Sequence, residues 1–281
     1  MSITASDNAT RPLVSCEFQS RAQLENPPAG ADLLVMSDHS NSHYIVAFAV
    51  SPEALRRAQR LRYEVFNEEL GEGLESSRES GLDRDEYDAQ MHHIVLIEVA
   101  TNMAIGTYRI QTVSHALKHA GIYSEREYDL TALQPYFPEL IECGRACIAD
   151  GHRTFSNVIM LWKAIGTYLQ MYEKRYLFGC CSLTTTDPKE GWRALRTLRG
   201  ENVLHAELFL PAREPYSCGD PSTEFNADLG PGGKIPKLFS AYLHLGCQVI
   251  SGPAIDMEFS TVDFLVMLDS ERVSFSTLAL K

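Results

Sequence analysis

Four groups of residues in this sequence have the types and spacing that proton transfer and anion stabilisation require. They are Arg62 late in a helical pattern, Asp85 and Asp88 ahead of His93, Arg109 in a strand pattern, and Glu142 three residues before Arg145. Each group also has an ordinary interpretation, because charged side chains are mostly exposed and acidic loops commonly form turns. Their chemistry therefore depends on how the chain brings them together.

Gly144, which lies between Glu142 and Arg145, decides how the last group is interpreted. Side chains alternate along a strand, so these two would point to opposite faces. A glycine inside a strand often marks a bulge, which shifts the alternation by one residue. A bulge would bring both side chains to one face and leave backbone N–H groups free beside them. A carboxylate that takes a proton from an amine and N–H groups that bind an oxyanion suit acyl transfer.

The elements that position these residues follow from hydrophobic periodicity and from capping signals. Predicted strands cover residues 44–50, 94–99, 103–112, 140–149, 176–183 and 205–210, with further strands within 247–269. Predicted helices cover residues 52–70, 156–174, 188–199 and 236–245, and polar loops or insertions cover 71–91, 113–138 and 211–233. This order predicts an α/β fold, in which a central twisted mixed sheet carries helices on both faces.

Composition places the chain among ordinary globular proteins. It has 281 residues, of which 44% are hydrophobic and 22% charged, and a chain of this length can bury a large core. Residues 1–40 are polar with little periodicity, and they predict an N-terminal arm that is poorly structured or extended. Residues 41–281 predict a single domain.

Several functional classes are disfavoured by charge and motifs. The formal net charge of −12 argues against binding nucleic acid over the whole surface. No dinucleotide-binding or P-loop glycine motif is present. His115 and His119 have the spacing of metal ligands on a helix, but no third ligand is evident nearby, so surface histidines are favoured. The seven cysteines form no disulfide pattern, and no signal peptide or membrane-spanning run is evident. We therefore expect a cytoplasmic protein without a metal.

The order of elements resembles the GNAT acyltransferase fold. The spacing of Arg62 and Phe66, Asp85 and Asp88, Arg109, and Glu142 and Arg145 resembles that of acyl-homoserine-lactone synthases. Other segments are more similar to a sister group, the ornithine-lipid-forming and N-acyl amino acid synthases that use acyl carrier protein. Those segments are residues 87–88 with 93, 106–109, 144–147, 236–246, 252–256 with 259, and 263–265.

The resemblance implies an N-acyltransferase that moves a long acyl chain, with or without a 3-hydroxyl group, from acyl carrier protein to the α-amine of an amino acid. Ornithine is the leading acceptor. Glu142 is implied as the catalytic base or as the residue that positions the amine, with His93 as an alternative base. The acceptor-binding residues implied are Arg62, Asp85, Asp88, Arg109 and Arg145. The residues implied to bind the acyl donor are Ala146, Cys147, Ile148, Arg153 and Phe155.

The resemblance also implies partners and cofactors. The acyl-phosphopantetheine arm of acyl carrier protein would be the donor, with no cofactor bound permanently. A small amino acid would be the second substrate, and release of a lipid product is compatible with peripheral contact with the inner membrane face.

Two departures from the related families bear on the alternatives. The tryptophan that lactone synthases carry after the first helix is missing from residues 70–73, which disfavours a synthase that uses S-adenosylmethionine. The glycine-rich phosphate loop typical of GNAT enzymes is replaced by residues 152–156, which disfavours acetyl-CoA and fits a pantetheine arm. A lactone synthase, or a non-catalytic module that binds acyl carrier protein or lipid, stays open as an alternative. Glu142 beside Gly144 and Arg145 favours catalysis.

Overall fold

A computed structural model describes residues 11–219 and 233–273, which we call the described residues. The strands are β1 Ser15–Glu17, β2 Leu33–Val35, β3 Tyr44–Ala49, β4 His92–Glu98, β5 Met103–Thr112, β6 Leu140–Ile148, β7 Tyr176–Leu183, β8 Gln248–Val249, β9 Ala254–Asp256 and β10 Thr261–Asp269. The α-helices are α1 Arg21–Glu25, α2 Pro52–Tyr63, α3 Ser77–Ser80, α4 Val113–Ala116, α5 Phe155–Met171, α6 Pro188–Gly200 and α7 Lys237–His244.

Within the described residues, ten strands form one mixed sheet. Their order is β1-β2-β3-β4-β5-β6-β7-β10-β8, and β9 pairs with β10. Strands β2 to β6 pair antiparallel, whereas β6 and β7 are parallel because α5 crosses over between them. Helix α2 packs on one face, and α5 and α6 pack on the other. The predicted α/β fold with helices on both faces of a mixed sheet is confirmed. No helix among the described residues has both the length and the apolar character to cross a bilayer.

Helix α2 carries Arg62 to the sheet. The Ser51 hydroxyl accepts a hydrogen bond from the Ala54 N–H at 3.2 Å, and Pro52 occupies the first helical position. The face of the helix that carries Ala54 and Ala58 is buried against the sheet. Arg62, one turn after Ala58, lies on the same face and is also buried. The chain then continues as a π-helical segment, Glu64–Glu69, which accounts for the predicted helical length.

A bulge in β6 opens the sheet at its centre. Thr107 pairs with Cys147 but Arg109 pairs with Gly144, so β6 has one extra residue there. Arg145 lies in this bulge, and its backbone is in the left-handed region, with φ of 50°. Strand β6 then pairs with β7 only over Leu140–Glu142, and the two strands separate beyond that point. The bulge that Gly144 predicts therefore opens a gap between neighbouring parallel strands.

Two segments differ from the sequence-based expectation. Within the predicted arm, residues 15–17 and 33–35 form β1 and β2, which extend the sheet from β3; the division into an arm and one domain stays a prediction. The predicted strand over residues 205–210 is wrong, since only isolated bridges occur at Leu204 and Leu210. There His205 Nδ1 accepts hydrogen bonds from the backbone N–H groups of Glu207 and Leu208, and the chain turns. Part of the predicted 211–233 loop, residues 220–232, lies outside the described residues.

Candidate active site

A cavity of about 710 Å³ is lined by residues from both faces of the sheet around the gap between β6 and β7. This volume lies within the roughly 300–1,000 Å³ common for ligand sites. On the face of α2, which we call the polar side, the wall includes Glu72, Arg109, Tyr123, Arg145 and Asp263. On the face of α5, which we call the apolar side, the wall includes Val158, Trp162, Ile165, Phe239, Tyr242 and Val266. The cavity can hold a charged molecule on one side and an apolar chain on the other.

Six buried charged residues form an ion-pair network behind the polar side. They are Arg62, Arg109, Arg145, Asp83, Asp85 and Asp88, joined by N···O distances of 2.5–3.3 Å. Burial opposes ionisation of Asp88, but Arg62 and Arg109 outweigh it and hold the pKa of that carboxyl below its ordinary value. Three positive and three negative groups cancel, so the network is neutral as a unit.

The network separates the predicted acceptor-binding residues into two sets. Arg109 and Arg145 reach the cavity wall, whereas Arg62, Asp85 and Asp88 lie behind it. The Arg145 guanidinium also lies over the Tyr123 ring at 5.1 Å and over the Phe259 ring at 4.3 Å. The three residues behind the wall therefore hold the two arginines in place and do not themselves line the cavity.

Glu142 lies at the cavity wall, but its carboxylate is fully occupied. One oxygen accepts hydrogen bonds from the Ser124 N–H and hydroxyl, both at 2.8 Å. The other accepts from the Gln111 amide at 2.8 Å and from the Tyr123 N–H at 3.0 Å. A carboxylate has about four acceptor sites, so little capacity is left for a substrate proton. This geometry favours a positioning role over that of a base.

His93 lies away from the cavity wall. It is 3% exposed, and its Nε2 lies 3.0 Å from the carbonyl oxygen of Asp88. Burial lowers the pKa of His93 to about 4, so the ring is neutral at pH 7. The contact holds the 3₁₀ turn Glu86–Ala89 against β4. Because His93 does not line the cavity, it does not meet a substrate there.

The residues predicted to bind the acyl donor all line the cavity. Ala146, Cys147 and Ile148 form its wall along β6 beyond the bulge. Burial raises the pKa of the Cys147 thiol, which disfavours a nucleophilic role. Phe155 is 57% exposed at the start of α5, and Arg153 donates to the Ile148 carbonyl at 2.9 Å and pairs with Glu69.

Sequence reasoning did not single out Glu127 and Cys180 as site residues, and it noted Asp263 only within a family-like segment. Possible ligand atoms of these three residues lie within 4.8 Å of one another. Burial raises the pKa of Asp263 to about 6 and the pKa of Glu127 well above its ordinary value. An acid in the interior of the apolar strand Thr261–Asp269 is a signal that sequence offers for Asp263. Glu127 lies in the insertion before β6 and carries no comparable local signal.

Comparisons with known proteins identify the relatives of this chain. Residues 61–163 match the family model described as acetyltransferase (GNAT) domain. The L-ornithine N(alpha)-acyltransferase of Rhodobacter capsulatus is 31% identical over 237 residues, which cover 82% of this chain and 92% of that protein. The enzyme of the same name from Brucella abortus is also 31% identical, over 82% of this chain and 85% of its own.

A solved structure of an N-acyl amino acid synthase from uncultured soil microbes superposes with a TM-score of 0.48, at 13% identity, over 84% of this chain and 94% of that one. The family assignment depends on the sequence relatives. This chain covers most of a relative that is 31% identical to it. The resemblance found in the sequence is thereby confirmed, and the chain belongs to the family of L-ornithine N(alpha)-acyltransferases.

Proposed function

We propose that this protein transfers a long acyl chain from the thioester of acyl carrier protein to the α-amine of L-ornithine. The relatives named as L-ornithine N(alpha)-acyltransferases support the acceptor. The observation that carries the proposal is the two-sided cavity at the gap between β6 and β7. A thioester placed in this gap would have its acyl chain on the apolar side and its carbonyl carbon open to an amine on the polar side.

The proposed reaction is direct attack within a ternary complex. The amine nitrogen bonds to the thioester carbonyl carbon, the carbon–sulfur bond breaks, and the thiol leaves with a proton while the amine loses one. The described register of β6 with β7 ends at Glu142. Because N–H groups of a parallel strand point alternately to its two neighbours, alternate N–H groups of β6 beyond Glu142 would face the gap. Such N–H groups would stabilise the oxyanion that forms on the carbonyl oxygen.

Glu142 has a positioning role in this proposal. Its hydrogen bonds to Tyr123 and Ser124 hold the turn Tyr123–Arg126 against β6. The Tyr123 ring in turn lies beside Arg145. The carboxylate thus maintains the polar wall against which the acceptor binds.

Acyl carrier protein is the proposed partner because the turn between β6 and α5 lacks the glycine-rich loop that would bind coenzyme A. Residues 150–154 turn from β6 into α5, and the Thr154 hydroxyl caps the helix by accepting from the Asn157 N–H. No glycine-rich run lies there to bind the diphosphate of coenzyme A.

Phe155 and Leu70 are exposed at the mouth of the cavity, and they offer an apolar exit by which an acylated product would pass to a membrane surface.

The test is to incubate the purified protein with acyl carrier protein thioesters and L-ornithine and to identify products by mass spectrometry. We expect Nα-acyl-ornithine, and much slower transfer from acetyl-CoA. A homoserine lactone formed when S-adenosylmethionine replaces ornithine would favour a lactone synthase. Binding of the carrier protein without any product would favour a non-catalytic module.

A further inference from the structure

Two buried carboxyl groups on the polar side form no ion pair within the described residues. Glu127 is 1% exposed and Asp263 is 5% exposed. One oxygen of each, Oε2 of Glu127 and Oδ1 of Asp263, has no hydrogen-bond partner within the described part of the chain. Burying such groups is costly unless something pairs with them.

The surroundings of this pair are acidic. Glu72 and Asp256 are further carboxyl groups near the pair, and the Cys180 thiol lies within 4.8 Å of a carboxyl oxygen of each. The hydroxyls of Ser182 and Thr261 lie beside Asp263 and partly offset the rise in its pKa that burial causes. The cations that act on Glu127 are Arg126 and Arg145. Both arginines already form ion pairs, Arg126 with Glu258 and Arg145 with Asp83 and Asp85.

A ligand in the cavity can reach Asp263 itself, and Glu127 lies behind Asp263 and Cys180 rather than at the wall. Asp263, Cys180 and Glu72 all line the cavity wall on the polar side, and Glu127 lies directly against the first two. The arginine network beside them carries no net charge, because its three arginines are paired with Asp83, Asp85 and Asp88. A mobile cation entering the polar side would therefore find its favourable partner at Glu127 and Asp263.

We infer that Glu127 and Asp263 bind the side-chain ammonium group of the acceptor amino acid and thereby select a diamino acid over one with a neutral side chain. This inference rests on the proposed function. An ammonium group donates up to three hydrogen bonds. A carboxyl oxygen of Glu127 lies within 4.8 Å of one of Asp263, and each residue has one oxygen without a hydrogen-bond partner in the described part of the chain. The α-amine of the same molecule would then extend toward the gap where the thioester lies.

The test compares L-ornithine with L-norvaline, which has the same length but lacks the side-chain ammonium. The variants are Asp263→Asn and Glu127→Gln, which keep side-chain shape and cannot ionise. We expect the parent to prefer ornithine, and each variant to lower the ornithine-to-norvaline ratio of kcat/KM by roughly 10–100-fold, mainly through KM for ornithine. Glu125→Gln is the matched control, because Glu125 lies two residues away, outside the cavity, beside Arg213. It should keep the parent ratio.

A measurement on the unchanged protein covers the case in which a variant fails to fold. Ornithine should raise the melting temperature of the parent at concentrations where norvaline does not, and an equal effect of both would overturn the inference. Activity that is lost with a chelator and restored by a divalent metal would overturn it as well, since the pair would then hold a metal. Variants that keep the ornithine preference overturn this inference alone. A parent that acylates neither amino acid overturns the proposed function and the inference together.

Discussion

The carboxylate of Glu142 accepts four hydrogen bonds within a buried setting, from Gln111, Tyr123 and Ser124. Two of these come from backbone N–H groups of the insertion between β5 and β6. Buried N–H groups that lose an acceptor are costly, because water cannot replace it. At this position the carboxylate is therefore needed to keep the insertion in place, whether or not a substrate is bound.

Replacing Glu142 by Gln is expected to destabilise the fold and reduce turnover together. The new amide NH₂ would face N–H or O–H donors at whichever oxygen it replaced, which costs about 1–3 kcal/mol of unfolding free energy. Turnover should fall at every pH, because the polar wall is displaced and no titrating base has been removed. The measurements are urea unfolding and a pH–rate profile of the variant.

Ser124→Ala provides the control for this prediction. It removes one donor to Glu142 and leaves the carboxylate unchanged, so it should reproduce part of the loss with the same pH profile. A Gln variant of normal stability whose activity recovers at high pH would instead assign Glu142 as the general base.

At the scale of elements, the gap between β6 and β7 depends on how closely the strands approach before they separate. A Cβ atom on Gly179 would lie 2.1 Å from the carbonyl oxygen of Cys143, so glycine permits this approach. A Cβ atom on Gly144 would meet no atom within 4 Å. The two glycines thus flank the same gap with opposite steric demands.

We expect Gly179→Ala to lower the unfolding free energy by about 1–3 kcal/mol, because backbone must shift to accept the methyl group. Gly144→Ala is the matched variant and should change stability by less than about 0.5 kcal/mol. Thermal unfolding of both proteins measures the difference. Equal stability of the two variants would show that β6 and β7 adjust freely, and that the close approach does not set the gap.

The elements around this gap were largely predictable from the sequence. Strands β3 to β7 and helices α2, α5, α6 and α7 follow strong periodic patterns and clear caps, and they occur close to the predicted positions. The strand predicted at residues 205–210 failed because a local side-chain contact of His205 outcompeted strand pairing. The pairing of residues 15–17 and 33–35 with the sheet depends on long-range contacts that a local pattern does not contain.

The site was predictable in part. The bulge at Gly144 and the strand positions of Arg109, Glu142 and Arg145 follow from local pattern. The insertion that covers Glu142 and supplies Glu127 has no strong periodicity, so its placement over the sheet could not be derived. Which arginines face the cavity and which lie behind it likewise depends on tertiary packing.

At the scale of the whole molecule, the sheet divides the two proposed substrates. Charged residues from α2, from the polar loop 71–91 and from the insertion 113–138 gather on one face. The apolar side chains of α5 and α7 gather on the other. The gap between β6 and β7 joins the two faces. This division implies that the apolar side sets the length of the acyl chain independently of the acceptor.

Ala241 on α7 tests this division, because it lines the cavity whereas the neighbouring Ser240 does not. Ala241→Leu adds apolar volume to the wall, so a long acyl chain would collide with it while a shorter chain would still fit. We expect the rate ratio of long-chain to medium-chain acyl donors to fall roughly tenfold, which corresponds to about 1.4 kcal/mol of crowding. The KM for ornithine should not change. Ser240→Leu is the control and should keep the parent ratio; a ratio that Ala241→Leu leaves unchanged would place the acyl chain outside this part of the cavity.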